Sequence, residues 1–196
     1  KAKSLDTKGE RTAEIGKSLS DAYNFCINQG NTDFTNGNYA KSSRYFSFAL
    51  QINDDPGFQR QHDTIVALLN YYAGLSSYYG YLREKEEGVR TVLLTRAQKH
   101  YENAVQMNYK DDFLFRSLHY VYLFKNDTLN AEKIILKAFD LYPDSSLVII
   151  DIVNLYIGAK KYDKVLKFLD PAIAKMPGNA QLLYTKGQMY DAMSKW

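Results

Sequence analysis

The second half of the chain contains a stretch that repeats at a fixed spacing. Residues 112–145 read DFLFRSLHYVYLFKNDTLNAEKIILKAFDLYPDS, and residues 146–179 follow without a gap as SLVIIDIVNLYIGAKKYDKVLKFLDPAIAKMPGN. Similar residue types recur 34 positions apart in five registers: Ala97, Ala131 and Val165; Tyr101, Ile135 and Leu169; Ala104, Ala138 and Ala172; Tyr109, Pro143 and Pro177; Tyr122, Tyr156 and Tyr190. A period of 34 predicts a helix–turn–helix repeat that buries its apolar side by stacking on its neighbours in a solenoid.

Apolar residues also recur at helical spacing within each repeat, as Phe115, Leu118 and Tyr122 do in the first helix of residues 112–145. The turns carry residues that stop one helix and cap the next. We expect Asp127 to cap the second helix of this repeat, and the turns 143–145 and 177–179 to separate successive repeats. Because alternation of period two is absent, the sequence predicts an all-α fold.

The same pattern divides the chain into a series of repeats. It predicts repeats at about 23–56, 67–111 (with insertions), 112–145, 146–179 and, in part, 180–196, after an N-terminal segment (1–22) that is helical from about residue 10. Ala49 and Ala104 are 55 residues apart, more than one period, so the second repeat is lengthened. We expect a long first helix there, roughly 58–83, and an elbow at 84–88.

Composition excludes several classes of protein. The 45% hydrophobic and 24% charged residues are typical of a globular chain, and a net charge of +3 is too small to indicate a nucleic-acid footprint. The single cysteine, Cys26, cannot form an internal disulfide, and its apolar neighbours indicate a buried structural thiol. The longest apolar stretch, 147–157, is interrupted by Asp151 and Asn154 and is too short to span a bilayer.

The residues that carry catalysis or bind metals do not converge in this sequence. His62, His100 and His119 are far apart, and none has cysteine or carboxylate neighbours at metal-ligand spacing. His119 falls at a repeat-packing position, where a hydrogen-bonded core histidine is expected. A phosphate-binding glycine loop and a nucleophile elbow are also missing. We therefore predict no enzymatic activity, no cofactor and no metal site.

The repeats resemble the tetratricopeptide repeat in five positions: Gly at the eighth, Tyr at the eleventh, Ala at the twentieth and twenty-seventh, and Pro at the thirty-second. This resemblance covers about 23–196 and implies a right-handed superhelical solenoid. His119 and Val153 depart from it, since each occupies the small-residue slot. The run 70–75 and the junction at 108–109 are similar to exported bacterial tetratricopeptide-repeat proteins of unknown function. With a chain that begins without Met, this favours an exported, periplasmic or cell-envelope location, the cytoplasm being the alternative.

In this family the first helix of each repeat lines a concave groove that binds a partner. Carried over slot by slot, the resemblance implies a groove formed by Tyr71, Leu75, Tyr78, Tyr79, Phe113, Arg116, Tyr120, Phe124, Asn154, Tyr184 and Gln188. Tyrosine, of which the chain has 17, offers a large contact area with a polar tip. The predicted function is a non-catalytic scaffold that binds a peptide or a partner protein, with Arg116 orienting it.

Three other interpretations stay open. Tyr78 and Tyr79 could instead fill gaps inside the lengthened repeat. The chain could be a small-ligand sensor or carrier domain of the cell envelope, with a pocket at 71–81 walled by the long helices. It could also form a homo-oligomer through an uncapped C-terminal end.

Overall fold

The computed structural model describes residues 9–194. Residues 1–8, the start of the predicted N-terminal segment, and 195–196, the end of the predicted fifth repeat, lie outside the described residues. Within 9–194 the chain forms nine helices and no strand, which confirms the all-α prediction. The helices are α1 (Glu10–Thr35), α2 (Tyr39–Asn53), α3 (Asp63–Arg83), α4 (Glu87–Gln106), α5 (Asp112–Phe124), α6 (Thr128–Leu141), α7 (Ser146–Gly158), α8 (Tyr162–Lys175) and α9 (Ala180–Ser194).

These helices fall into two compact units, which we call the N-terminal unit (9–110) and the C-terminal unit (111–194). In the N-terminal unit α1 packs on α2, α2 on α3 and α3 on α4. In the C-terminal unit α5 packs on α6, α7 contacts α5, α6 and α8, and α9 contacts α7 and α8. Stacked helix–turn–helix pairs are the predicted repeat fold. The division into repeats within one array from residue 23 stays a prediction.

Three of the five 34-residue registers are buried positions of the second helices. Ala97, Tyr101 and Ala104 on α4 are fully buried, and so are their equivalents on α6 and α8, with Ala172 nearly so. The small residues of this set let paired helices approach closely, whereas the larger ones fill the space between successive pairs. The period seen in the sequence is therefore the period of core packing.

Capping side chains mark the starts of α6, α7 and α9 in the C-terminal unit. Asp127 accepts a hydrogen bond from the backbone N–H of Asn130 at 3.1 Å, and Asn179 accepts one from Leu182 at 3.2 Å. Ser145 accepts a longer one from Val148, at 3.4 Å. The predicted caps are confirmed, because each satisfies an N–H that has no partner within its own helix.

The two helices of the predicted second repeat are long, with different bounds from those expected. The helices α3 and α4 have 21 and 20 residues, compared with 13 and 14 in α5 and α6. The expected start of α3 near residue 58 was wrong, since the His62 side chain caps this helix by accepting from Thr64 N–H. Its last residue, Arg83, was predicted correctly, and only residues 84–86 separate it from α4.

Two single residues have the environments that the sequence predicts. His119 is buried, and its Nδ1 donates to the Ala131 carbonyl at 2.9 Å, so it is a hydrogen-bonded core histidine. Burial lowers its pKa. Cys26 is also buried, and burial raises the pKa of its thiol, which keeps it protonated and unreactive.

Candidate functional site

The first helices of the repeats lie side by side in the C-terminal unit, because α7 contacts both α5 and α9. A cavity of about 580 Å³ opens between the C-terminal halves of α5 and α7 and the first turns of α6. We call it the C-terminal pocket. Its lining includes Tyr120, Leu123, Leu129, Asp151, Asn154 and Leu155. Two of the eleven predicted groove residues, Tyr120 and Asn154, therefore meet in one cavity.

Asp151 holds the polar side of this pocket in place. Its side chain is only 1% exposed, and its two oxygens have different partners. Arg116 Nε donates to Oδ2 at 2.5 Å, and the Tyr120 hydroxyl donates to Oδ1 at 2.6 Å. A buried carboxylate is tolerated only when it is paired and hydrogen-bonded. Asp151 thus fixes the orientation of two predicted groove residues from the neighbouring helix.

The groove pattern does not predict this role for Asp151, which occupies the slot after the one expected to face a partner. One signal in the sequence could have indicated it. Asp151 is the sole charged residue of the apolar stretch 147–157, and an acid inside such a helix must find a cation or a hydrogen-bond donor. The partner itself, Arg116, lies 35 residues away and is identified only by the packing of α5 against α7.

Glu132 and Tyr156 form a second bonded group on the wall of the pocket. The Tyr156 hydroxyl donates to Glu132 Oε1 at 2.8 Å, and Lys164 Nζ donates to the same oxygen at 3.3 Å. The hydrogen bond from Tyr156 lowers the pKa of Glu132. Burial, and then this bond, raises the pKa of Tyr156 to about 12. Both carboxylates of the pocket are thus already bonded to side chains of the chain.

The remaining wall is apolar and accessible. Leu129 is 77% exposed at the start of α6, and Leu123 and Leu155 line the cavity beside it. Asn154 is exposed, and its amide makes no hydrogen bond within residues 9–194. An amide of this kind can donate and accept at once, as a peptide backbone requires. The pocket can therefore hold an apolar side chain next to a polar backbone.

The other predicted residues of the C-terminal unit do not line this cavity. Phe113 is half-buried near the start of α5, and Phe124 is exposed at its end. Tyr184 and Gln188 lie one helical turn apart on α9, both exposed. They extend the accessible surface of the first helices, α5 and α7, to α9. Arg116 is mostly covered, because it is paired with Asp151.

The predicted groove residues of the N-terminal unit lie on α3 and are largely packed. Tyr71 stacks on Tyr109, with ring centroids 5.0 Å apart, and Tyr78 contacts the buried Tyr101 at 6.5 Å. Tyr79 contacts Tyr39 at 5.3 Å and Phe34 at 6.2 Å. All three tyrosines keep a partly exposed surface. Leu75 is buried, so it offers a partner almost no area.

The largest described cavity of the N-terminal unit is elsewhere. It measures about 760 Å³ and lies between α2 and α4, and no residue of 71–81 lines it. The ligand pocket expected at 71–81 therefore does not coincide with this cavity. Among residues 9–194, no cluster of three or more His, Cys, Asp or Glu could hold a metal ion. No helix in this range is both long and apolar enough to cross a membrane.

No family model matches the chain, and no curated protein matches it. Solved structures do match. YrrB, described as a TPR protein with an unusual peptide-binding site, is 17% identical with a TM-score of 0.59, over 86% of this chain and 76% of YrrB. TTC0263, a thermophilic TPR protein of Thermus thermophilus, is 15% identical with a TM-score of 0.51, over 87% of this chain and 98% of its own. At such identities the likeness is one of fold.

Proposed function

We propose that this chain, which has the tetratricopeptide-repeat fold, is a non-catalytic scaffold that binds an extended segment of a partner protein. The proposed contact surface is the row of α5, α7 and α9, centred on the C-terminal pocket. The observation that carries the proposal is the pairing of Asp151 with both Arg116 and Tyr120 beside the unbonded amide of Asn154.

The polar side of the pocket is pre-organised for binding. Arg116 Nε and the Tyr120 hydroxyl are committed to Asp151, so neither side chain has to be ordered when a partner arrives. A binding site that is rigid beforehand loses less conformational entropy on association. Asn154 can then pair with the backbone of one extended residue of the partner, accepting a hydrogen bond from its N–H and donating one to its C=O.

The apolar side of the pocket supplies the binding energy. Leu129 exposes most of its side chain to solvent, and Leu123 and Leu155 stand next to it. Burying one large apolar side chain of a partner here is worth about 1.5–3 kcal/mol. The preferred partner is therefore an extended segment with an aliphatic or aromatic residue beside a free backbone amide. Tyr184 and Gln188 extend the proposed surface along α9.

The exposed parts of Tyr71, Tyr78 and Tyr79 form a second proposed contact surface in the N-terminal unit. Ring contacts hold these tyrosines in place, which reduces the entropy lost on binding. Leu75 is not included, because it is buried. YrrB, which shares the fold, is a TPR protein with a peptide-binding site. That likeness supports peptide binding as the class of function, without indicating the sequence that is bound.

Selection from a random peptide library tests the proposal. The chain is immobilised, enriched peptides are synthesised with a fluorophore, and their Kd values are measured by anisotropy. We expect the double variant Asn154→Ala with Leu129→Ala to weaken the enriched peptides by about a hundredfold, since it removes a backbone contact and an apolar contact.

The matched control changes the same residue types at exposed positions outside the pocket, Asn28→Ala with Leu141→Ala. It is expected to bind the peptides as the unchanged chain does. The proposal fails if both double variants bind with equal affinity, and also if the library yields no peptide that binds.

A further inference from the structure

The cavity between α2 and α4 has a floor of buried polar side chains. His100 and Asn70 are both buried, and His100 Nδ1 lies 3.0 Å from Asn70 Oδ1. On its other side, His100 Nε2 lies 3.0 Å from Ser47 Oγ, which joins α4 to α2. Asn103 Nδ2 also donates to Asn70 Oδ1, at 3.3 Å. Because these groups bond to one another, the floor is rigid and the cavity keeps its shape without a ligand. We call this cavity the basic cleft.

Basic side chains surround this floor, and three of them have no acidic partner among the described residues. Arg44 on α2 and Arg96 and Lys99 on α4 all line the cleft, and none lies within 4.0 Å of a carboxylate among residues 9–194. Arg96 Nη1 donates instead to the Ser43 hydroxyl, at 3.1 Å. Burial and, second, the charge of Arg44 lower the pKa of Arg96. Cations from two helices thus line one cavity, and none of the three is paired with a carboxylate of residues 9–194.

The remaining charged groups of the lining do not cancel this excess. Arg60 is paired with Asp63 at 3.3 Å, which leaves Asp54 as the acidic residue of the lining. Three cations against one carboxylate leave an excess of about two positive charges, and a phosphate monoester carries about that many negative ones at neutral pH. Guanidinium groups also match the geometry of phosphate oxygens.

The cleft also has exposed apolar walls. Phe48 on α2 is 50% exposed and Val92 on α4 is 54% exposed, and both line the cavity. Large apolar residues facing solvent inside a cavity offer area to a ligand. A volume of about 760 Å³ lies within the usual range for small-molecule sites. The matching ligand therefore has an apolar or aromatic body in addition to its charge.

We propose that the basic cleft between α2 and α4 binds a small organic phosphate, with the phosphate against Arg44, Arg96 and Lys99 and the apolar body against Phe48 and Val92. This site lies wholly in the N-terminal unit and uses the second helices of the repeats. It is thus separate from the first-helix surface that we propose for peptides, and each proposal can fail without the other.

Phenyl phosphate is the probe for this site. Titration into the ¹⁵N-labelled full chain is expected to shift the amide signals of residues 44–51 and 92–103. Three compounds serve as controls. Inorganic phosphate lacks the aromatic ring, phenol lacks the phosphate, and benzoate has the ring with a single negative charge. Each is expected to bind at least about tenfold more weakly than phenyl phosphate, because one of the contacts is lost.

The decisive variant is Arg44→Gln with Lys99→Gln. Both side chains are exposed, so the fold should be retained, and we expect the Kd of phenyl phosphate to rise by at least about tenfold. The control Lys133→Gln with Lys167→Gln removes the same charge from exposed positions in the C-terminal unit. Equal affinities in the two double variants would overturn the proposal. So would the lack of any shift at 44–51 and 92–103.

An acidic protein segment is the competing occupant, and hexaglutamate serves as its probe. If hexaglutamate binds more tightly than phenyl phosphate and loses its affinity in Arg44→Gln with Lys99→Gln, the cleft is a docking site for an acidic chain and the proposal is wrong. Weaker binding of hexaglutamate, with phenyl phosphate bound as expected, supports the proposal.

Discussion

The ring of Tyr101 fills the space that a side chain at Gly74 would occupy. A Cβ at position 74 would lie 2.6 Å from Tyr101 Cδ1, closer than carbon atoms can approach. Gly30 and Phe46 have the same relationship, with a Cβ at position 30 only 2.7 Å from Phe46 Cε1. In the N-terminal unit, paired helices thus approach through a glycine on the first helix and an aromatic ring on the second.

This contact predicts that Gly74→Ala destabilises the chain. The added methyl group meets a fully buried ring that has no room to move. Overpacking of this kind lowers the free energy of unfolding by about 1–3 kcal/mol. This exceeds the roughly 0.5–1 kcal/mol by which replacing a helical glycine with alanine otherwise raises it. Urea denaturation followed by circular dichroism measures the change.

Gly187 is the matched control, because it is a helical glycine with nothing within 4 Å of its Cβ position. Gly187→Ala is expected to raise the free energy of unfolding by about 0.5–1 kcal/mol. Equal effects of the two substitutions would contradict the steric explanation.

The Arg116–Asp151 pair predicts a large loss of stability in Asp151→Asn. The guanidinium would remain mostly buried without a counter-charge, a situation that costs about 3 kcal/mol. Urea denaturation of the single variant measures this loss. In the double variant Arg116→Met with Asp151→Leu, neither charge remains, and we expect most of the stability to return. If its loss equals the sum of the losses in the single variants Arg116→Met and Asp151→Leu, measured in the same way, the two residues do not interact.

His100 predicts a dependence of stability on pH. Burial first, and then the charges of Lys99 and Arg96, lower the pKa of His100 from 6.5 to about 4. Between these values the unfolded chain binds a proton that the folded chain does not, so stability is complete above 6.5 and falls as the pH drops towards 4. Relative to His100→Gln, the unchanged chain should lose about 2 kcal/mol more between about pH 7.5 and about pH 5.

Denaturation at the two pH values checks this difference. Carboxylates that titrate in the same range affect both proteins alike, so only the difference between them reports on His100. The same pH dependence in both proteins would show that folding does not hold this imidazole in its neutral form.

Lys160 predicts a stabilising substitution. It occupies the left-handed region, with φ 56°, in the turn between α7 and α8. The α1–α2 and α5–α6 turns have Gly37 and Asn126 in this region, with φ 76° and 58°. This conformation costs a lysine about 1–2 kcal/mol, and the greater freedom of an unfolded glycine offsets about 0.5–1 kcal/mol of the gain. We therefore expect Lys160→Gly to raise the free energy of unfolding by about 0.5–1 kcal/mol. Thermal unfolding gives the value.

Asn126→Gly is the control for this prediction, because asparagine tolerates the left-handed region better than lysine does. Its gain should be clearly smaller. Lys160→Gly with no gain would indicate that the interactions of the lysine side chain offset the backbone cost.

The repeat fold could be predicted from the sequence because every repeat packs through residues at equivalent positions. Ala97, Ala131 and Val165 have the same spacing in the sequence and the same burial in the structure. The caps at Asp127, Ser145 and Asn179 could be predicted from the sequence, because each accepts a hydrogen bond from a backbone N–H only three residues further along the chain. The start of α3 was missed by five residues, since a cap formed by His62 is not part of the usual pattern.

The candidate sites could be predicted only in part. The family slots indicate Tyr120 and Asn154, which do meet in one cavity, but they include the buried Leu75 and omit Asp151. The slots describe which way a residue faces on an average helix. They contain no information about the ion pair that forms once α5 packs on α7. The basic cleft was not predicted at all, because it joins residues from 44 to 107 that share no motif.

The sequence by itself determined the period, the helices and the small and large residues that pack them, since these depend on contacts that recur at a constant separation. Only the tertiary structure decided which charges are neutralised and which stay unpaired. Asp151 neutralises the charge of Arg116, whereas Arg44, Arg96 and Lys99 line one cavity with no carboxylate of residues 9–194 within 4.0 Å of them. The reason is physical: electrostatic pairing depends on distances between side chains of different helices, and a linear pattern does not contain those distances.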